Sequence, residues 1–300
     1  MQWDDLRIFL AVARAQSLSA AGRMLKLDPA TVGRRISRLE QELGAPLFAK
    51  SPQGYALSAT GARLLDHAER AEAAINMARD AAEGNSEAAG PGLSGQIRIG
   101  APDGCANFLL PQVCAQISAE NPDLDLQVVA LPRVFNLSKR EADMAIAVSA
   151  PQTGRMTVQK ITDYRLHLAA HKKYLRSAPP LSALSDLRAH KIIGYIPDMI
   201  FDKELDYLAE LGADRISFGS NSVSVQFQFV QSGAGVGIVH DFALPFGRGL
   251  QRVLPEALSL TRSFYLIRPE GDRKVDRLNR LATALAQGLK REVERLEALV

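Results

Sequence analysis

Apolar side chains recur at helical spacing from the start of the chain. Trp3, Leu6, Phe9, Leu10 and Ala13 share one face of a helix predicted over 3–15, and Asp4 and Asp5 stand in its first turn, where the helix dipole favours acids. A second helix is predicted from about Ser19, with Ala20, Ala21, Met24 and Leu25 inward, then a break at Lys26-Leu27. Asp28-Pro29 restarts the pattern: Asp caps a helix end by accepting an orphan N–H, and Pro at the first helical position loses nothing. Val32, Ile36, Leu39 and Leu43 form the apolar stripe of this third helix, and Gly44 ends it. Leu47–Lys50 and Tyr55–Leu57 flank Ser51-Pro52-Gln53-Gly54, whose residue types suit a type I turn, so a small β-hairpin is expected.

Ser58 is placed to cap a long helix over about 58–83. Its apolar or small residues Leu64, Ala68, Ala71, Ile75, Ala78 and Ala82 step by 4 and 3 in turn, the seam of a two-helix contact. A rod of roughly 39 Å needs a partner to be stable. Residues 84–95 are Gly-rich with one Pro, a flexible linker by composition.

Beyond the linker, strands alternate with helices. Strands are predicted at Ile97–Gly100, Leu124–Leu131 and Asp143–Val148, with helices at about 105–120 and 136–141, the start of a parallel sheet. A second round follows: Tyr164–Ala170, Ile192–Tyr195, helix 202–211, Arg215–Gly219, helix 222–232 and strand Val236–His240. A late strand, Ser263–Arg268, leads into a helix over 275–298. Two α/β lobes are expected, the chain crossing between them near 160 and 262.

Charge sharpens this division. Residues 1–57 hold eight bases and five acids, so the whole net charge of +3 lies there, leaving 28 bases and 28 acids beyond. A positive head on a neutral body fits a nucleic-acid-binding module joined to something else. No apolar run reaches the ~18 residues of a membrane helix. The run Phe9–Ala15 only faintly mimics a signal peptide, with Asp4 and Asp5 where positive charge is needed, so a cytoplasmic protein is expected. Cys105 and Cys114 have neither disulfide-scaffold nor metal-site spacing, and no cofactor is called for.

The head carries the chemistry. If Val32, Ile36 and Leu39 face its core, Thr31, Arg34, Arg35 and Arg38 project from the opposite face, with Pro29 and Ala30 at the helix start. Arg grips guanine edges or phosphates, and Thr reaches a base edge or thymine methyl, so this helix suits the major groove of double-stranded DNA. The hairpin supplies a wing, with Lys50 and Gln53 toward the backbone.

Phe9-Leu10-Ala11-Val12-Ala13, Ser17-Leu18-Ser19-Ala20-Ala21, Val32, Ile36, Leu39-Glu40, Leu43-Gly44, Pro46-Leu47-Phe48 and Leu57-Ser58-Ala59-Thr60-Gly61 together resemble the N-terminal signature of LysR-type transcriptional regulators. Asp28 and Gly33 stand where that family usually has Ser, and Lys50 and Gln53 where it usually has Arg. The fold expected is multidomain. An all-α winged helix-turn-helix head (1–57) precedes a dimerisation helix (58–83), a linker (84–95) and an effector region (96–300). That region would hold two α/β lobes resembling periplasmic binding proteins, lobe I about 96–160 and 262–300, lobe II about 161–261. The resemblance implies a homodimer through the rods, assembled into a tetramer on a promoter palindrome, with RNA polymerase as a partner and a small-molecule effector between the lobes.

Ligands of open α/β sheets sit at the carboxyl ends of strands. Pro102, Asp103 and Gly104 follow the first strand, Ser149 another, and Ile196 a third; Ser220, Asn221 and Ser222 lie between a strand and a helix, where the serines also serve as caps. These are the candidate effector residues. Asp103 sits badly beside an anion, which gives a neutral or amine-bearing effector equal weight. Gly233-Ala234-Gly235 closes a helix rather than opening one, which argues against a nucleotide loop. His67, His190 and His240 are scattered, and Cys105 reads first as a buried small hydrophobe. The competing classes are an α/β enzyme or a ligand-binding protein fused to a DNA-binding head. No nucleophile–base pair, metal cluster or phosphate loop in the sequence supports an enzyme.

Overall fold

A computed structural model describes residues 2–51, 54–82, 92–130, 142–151, 156–207, 211 and 215–300. Described residues up to Ala82 form one compact unit and those from Gly92 onward another. The predicted wing turn at Pro52-Gln53, most of the linker and the predicted helix 136–141 lie outside the described residues.

The first unit contains α1 (Trp3–Ala15), α2 (Leu18–Leu25), α3 (Pro29–Leu43), the hairpin strands β1 (Phe48–Ser51) and β2 (Gly54–Leu57), and α4 (Ala59–Ala82). Each junction has a local cause. Ser17 Oγ accepts from Ala20 N–H to start α2, and Asp28 Oδ1 accepts from Ala30 N–H at 3.0 Å to start α3. Gly22 lets the turn between them close, because a Cβ there would lie 2.6 Å from the Leu27 carbonyl oxygen. Glu40 Oε1 accepts from Leu47 and Phe48 N–H, tying the wing to α3, while Tyr55 N–H donates to the Gln16 carbonyl and ties it to α1. Phe9, Phe48 and Tyr55 pack ring on ring across that seam. Ser58 caps α4 as its sequence position predicts, accepting from Gly61 N–H at 3.0 Å.

Three expectations for this unit need correction. The head is not all-α, since its wing is a two-stranded antiparallel sheet pairing Phe48 with Leu57. Met24 is 63% exposed and Leu43 40% exposed, although both continue an apolar period. The fully buried apolar residues of the head end at Ala21 on α2 and Leu39 on α3; Leu25 still packs against this core, whereas Met24 and Leu43 do not join it.

Among the described residues the second unit is built on one nine-stranded sheet. In chain order its elements begin with β3 (Gly95–Ala101), α5 (Asp103–Phe108), α6 (Leu110–Glu120), β4 (Leu124–Ala130), β5 (Met144–Ala147), β6 (Met156–His171) and α7 (Lys172–Ser177). They continue with β7 (Ile192–Gly194), β8 (Phe218–Gly219), α8 (Val223–Gln231), β9 (Val236–His240), β10 (Leu250–Arg252), β11 (Ser259–Pro269) and α9 (Asp276–Glu297). The order is β4-β3-β5-β11-β6-β9-β7-β8, with β10 on the flank of β6. The pairs β3–β4, β3–β5, β7–β8 and β7–β9 are parallel; β6 and β11 pair antiparallel along their length and join the lobes.

Both crossings therefore lie inside long strands, which is why β6 and β11 extend well beyond the predicted segments. A polar, poorly alternating stretch such as Thr157–Lys160 carries little strand signal of its own, and β11 supplies its pairing. The single helix expected over 105–120 is two, broken at Leu109, because Pro111 just beyond lacks an N–H and starts α6. Lys203–Leu205 forms only a short 3-10 turn in the described part of the helix expected over 202–211. On lobe I, α9 buries Leu278, Leu281, Leu285, Leu289, Val293 and Leu296, and packs on α6. Gly288 permits the contact, since a Cβ there would be 2.6 Å from Val113 Cγ1.

Candidate functional site

The exposed face of α3 is built from the helix start. Pro29 and Ala30 are exposed, Thr31 is half-buried, and Arg34 is exposed with one Nη donating to Thr31 Oγ1 at 3.2 Å. Val32, Ile36 and Leu39 lie under this face in the head's core. The other two arginines are engaged. Arg38 Nη2 donates to Asp5 Oδ1 at 2.5 Å, and Arg35 Nη1 lies 3.7 Å from the same oxygen. Asp5 is only 2% exposed, while the Arg38 side chain remains 54% exposed. Nothing in the sequence flagged Asp5 beyond its first-turn position; its partners lie 30 and 33 residues away. Backbone pairing places Lys50 opposite Tyr55 on the wing, and Gln53 falls outside the described residues.

On α4 the predicted seam divides. Ala68 is buried in the head's core with Leu64 packed against it, and Arg14 holds Glu72 with two hydrogen bonds of 2.6 and 3.1 Å. Ala71 is half-buried, whereas Ile75 and Ala78 are exposed. The side chain of Ala82 lies outside the described set.

The second candidate site is a small cavity between the lobes, with room for about one water. Of the predicted effector residues, Pro102, Asp103, Gly104 and Asn221 line it; Ser149, Ile196, Ser220 and Ser222 do not. Ser222 instead caps α8, accepting from Val225 N–H, and donates to Asp103 Oδ2 at 2.8 Å. Ser224 N–H donates to the same oxygen at 2.8 Å, and Asn107 Nδ2 to Oδ1 at 3.0 Å. Ser149 Oγ donates to Asp202, so a second hydroxyl–carboxylate pair also bridges lobe I to lobe II. Ser220 Oγ accepts from Ser222 N–H and its carbonyl accepts from Gln226.

Most of the remaining wall is aromatic. Tyr164 stacks on Phe264 with centroids 4.2 Å apart and on His240 at 5.4 Å, and Tyr195 and Phe201 add further ring surface. Burial holds His240 neutral, its pKa lowered to about 4, and pushes the Tyr164 hydroxyl well above its ordinary value. In the sequence His240 is one of several scattered histidines. Its one available signal was register: His240 pairs with Leu166, two residues from Tyr164 on the neighbouring strand. Burial also raises the thiol pKa values of Cys105 and Cys114, the latter to about 11, which suits the small-hydrophobe reading of Cys105. Gly233 ends α8 with φ +77, a C-cap and not a phosphate loop. His167 Nδ1 lies 2.8 Å from Asp241 Oδ1, and Arg252 donates to the other oxygen of the same buried carboxylate.

The family described as "Bacterial regulatory helix-turn-helix protein, lysR family" matches residues 3–62, and "LysR substrate binding domain" matches residues 90–290. The chain belongs to the LysR family. This LysR-type transcriptional regulator is 25% identical over 305 residues to the regulator PtxR of Pseudomonas aeruginosa, covering 98% of this chain and 95% of that one. It is 32% identical over 157 residues to DgdR of Burkholderia cepacia, 51% of each chain. In fold it is similar to a full-length OxyR variant from Pseudomonas aeruginosa, with TM-score 0.69, 18% identity and 96% and 94% of the two chains covered. It is also similar to full-length LysG from Corynebacterium glutamicum with bound effector Arg, with TM-score 0.64, 16% identity and 96% and 98% covered. The regulator binds DNA through its helix-turn-helix head and is controlled through its effector-binding domain; it is not an enzyme. No helix among the described residues is long and apolar enough to cross a membrane.

Proposed function

We propose that α3 reads promoter DNA through Arg34, Thr31, Pro29 and Ala30, and that the interlobe cavity binds the effector that modulates this reading. The observation that carries the proposal is the contrast among the arginines. Arg34 stands exposed above a packed stripe with only a neighbouring hydroxyl as partner, the arrangement a major-groove helix requires. Arg35 and Arg38, held by Asp5, fit backbone gripping better than base reading: their guanidinium groups are already oriented, and phosphate demands less of their geometry. Lys50 and Gln53 on the wing complete the phosphate contacts. The domain limits follow the sequence reading: a head over 1–57, a dimerisation helix over 58–83, a linker over 84–95 and two lobes over 96–300. The regulator acts in the cytoplasm as a homodimer through the distal half of α4, assembles to a tetramer, and touches RNA polymerase at the promoter.

The test is a salt titration of binding to an operator fragment recovered by selection from genomic DNA. A dimer making 6–10 phosphate contacts gives a log–log slope of roughly −5 to −9. A flat response, or equal affinity for every duplex at fixed salt, overturns the reading.

A further inference from the structure

The rod α4 is fastened to the head over its first turns. Gly61 lies so close to Leu47 that a Cβ there would stand 2.0 Å from its carbonyl oxygen, Leu64 and Leu65 pack on the head's core, and Ala68 is buried in it. One turn beyond Ala68 comes Glu72, which Arg14, in the last turn of α1, holds by two hydrogen bonds, Nη1 to Oε1 and Nη2 to Oε2. The two side chains are only 13% and 16% exposed, and a bidentate arginine–carboxylate pair fixes direction as well as distance. Further along the rod, Ala74, Ile75 and Ala78 are exposed. Among the described residues, the Arg14–Glu72 pair is the outermost fastening between head and rod.

In a dimer paired through the distal half of α4, the separation of the two recognition helices depends on the angle at which each head leaves its rod. A head of about 60 residues has a radius of gyration of about 10 Å. A swing of about 10° at the joint therefore moves α3 by about 1.7 Å, or about 3.5 Å between two heads, which is one base-pair step of DNA. Apolar packing is non-directional and yields to such a swing, whereas a bidentate ion pair resists it. We infer that the Arg14–Glu72 pair sets the spacing at which the regulator accepts its two half-sites, a specificity determinant that acts through the joint and not through a base contact. The inference rests on the dimer proposed above and adds to it the residues that fix its geometry on DNA.

The experiment uses the full chain and duplexes carrying half-sites recovered by selection from genomic DNA, at their native spacing or with one base pair inserted or removed at the centre. One base pair also turns a half-site by about 35° against the other, which firmly held heads follow only by twisting the DNA. Gel-shift titration gives each protein a ratio of affinity at the native spacing to affinity at the altered ones. For the wild type the ratio is at least tenfold. For Arg14→Ala, Glu72→Ala and the double variant it falls to threefold or less, and the double variant is no more tolerant than either single one, because all three lose the same pair. Glu72→Gln, which keeps the side chain's volume, moves the ratio the same way. Simple destabilisation of the head, followed in parallel by Trp3 fluorescence, lowers affinity at every spacing alike and leaves the ratio where it was. Variants as strict as the wild type, or a double variant far more tolerant than the singles, overturn the inference alone. A wild type indifferent to spacing overturns it together with the two-half-site reading beneath it, and sedimentation of the same sample then shows whether the dimer itself is absent.

Discussion

Two arginines one turn apart on the same helix should fail in different ways. Among the described residues Arg34 hydrogen-bonds only to the hydroxyl of Thr31 on its own exposed face, so Arg34→Ala costs the fold little. On DNA it removes one arginine contact per half-site. Each such contact is worth about 1–3 kcal/mol, hence about 2–6 kcal/mol over two half-sites, an affinity loss of at least ~30-fold. Arg38→Ala takes the principal partner from a carboxylate that is 2% exposed. Breaking a fully buried pair costs about 3–5 kcal/mol. Here the Arg38 side chain is 54% exposed and Arg35 stands 3.7 Å from the same oxygen, ready to close on it, so about 1–2 kcal/mol is the fitting figure. In a unit the size of the head, that lowers the melting temperature by roughly 4–15 °C.

The chain provides its own probe for this. Trp3 is the single tryptophan, and it packs against the head's core on α1, so its fluorescence reports the head alone. Thermal melts followed at Trp3, set beside gel-shift titrations on an operator fragment, separate the two losses. Arg34→Ala keeps the wild-type melt and loses the operator. Arg38→Ala shifts the melt. The reasoning is refuted if Arg34→Ala melts early, or if Arg38→Ala melts as the wild type does while losing the same affinity as Arg34→Ala.

Other outcomes follow from the same geometry. His240 titrates near 6.5 when unfolded and at about 4 in the fold. The unfolded chain therefore takes up a proton that the folded one refuses, and stability falls as pH drops from about 7 toward 4, then levels off. The loss, about 3 kcal/mol, is measurable as a urea midpoint of the effector unit that falls with acidification and is flattened in His240→Phe. Gly61→Ala places a methyl 2.0 Å from the Leu47 carbonyl oxygen, which cannot yield without moving the wing. It should cost about 1–3 kcal/mol in a Trp3 denaturation curve. Ile75→Glu charges an exposed position on the distal half of α4, so it should shift sedimentation toward monomer without changing the Trp3 melt, whereas Ala68→Glu should collapse the head itself.

The head was legible because its signals are local. A cap at Asp28, a proline beside it, a glycine at Gly44 and apolar residues at helical steps each act within a few residues, and the structure uses them where the sequence puts them. Periodicity fails where the partner is supplied by a distant segment. It counted Met24 and Leu43 as core because it cannot see where the core ends. It assigned α4 wholly to a partner helix, although Ala68 is occupied by the head from which α4 departs. The α/β region shows the same limit at larger scale. Val236–His240 and α9 are found nearly to the residue, whereas β6 and β11 are long only because each pairs with the other across about a hundred positions of sequence.

For the candidate cleft, loop position found Asp103 and Gly104, since strand ends converge in any open α/β sheet. The aromatic wall escaped because Tyr164, His240 and Phe264 sit within strands, where a ring reads as ordinary core. What distinguishes Tyr164 and His240 from ordinary core is an unmet hydrogen bond, a property of the assembled wall rather than of any residue type. The same argument separates Asp103 from Asp5. Both are acids in the first turn of a helix, indistinguishable by pattern. Asp5 is paired with arginines of its own unit, whereas Asp103 is held by a hydroxyl and two N–H donors from its own helix and from the other lobe. The first acid therefore shapes a binding face from beneath, and the second fastens one lobe to the other.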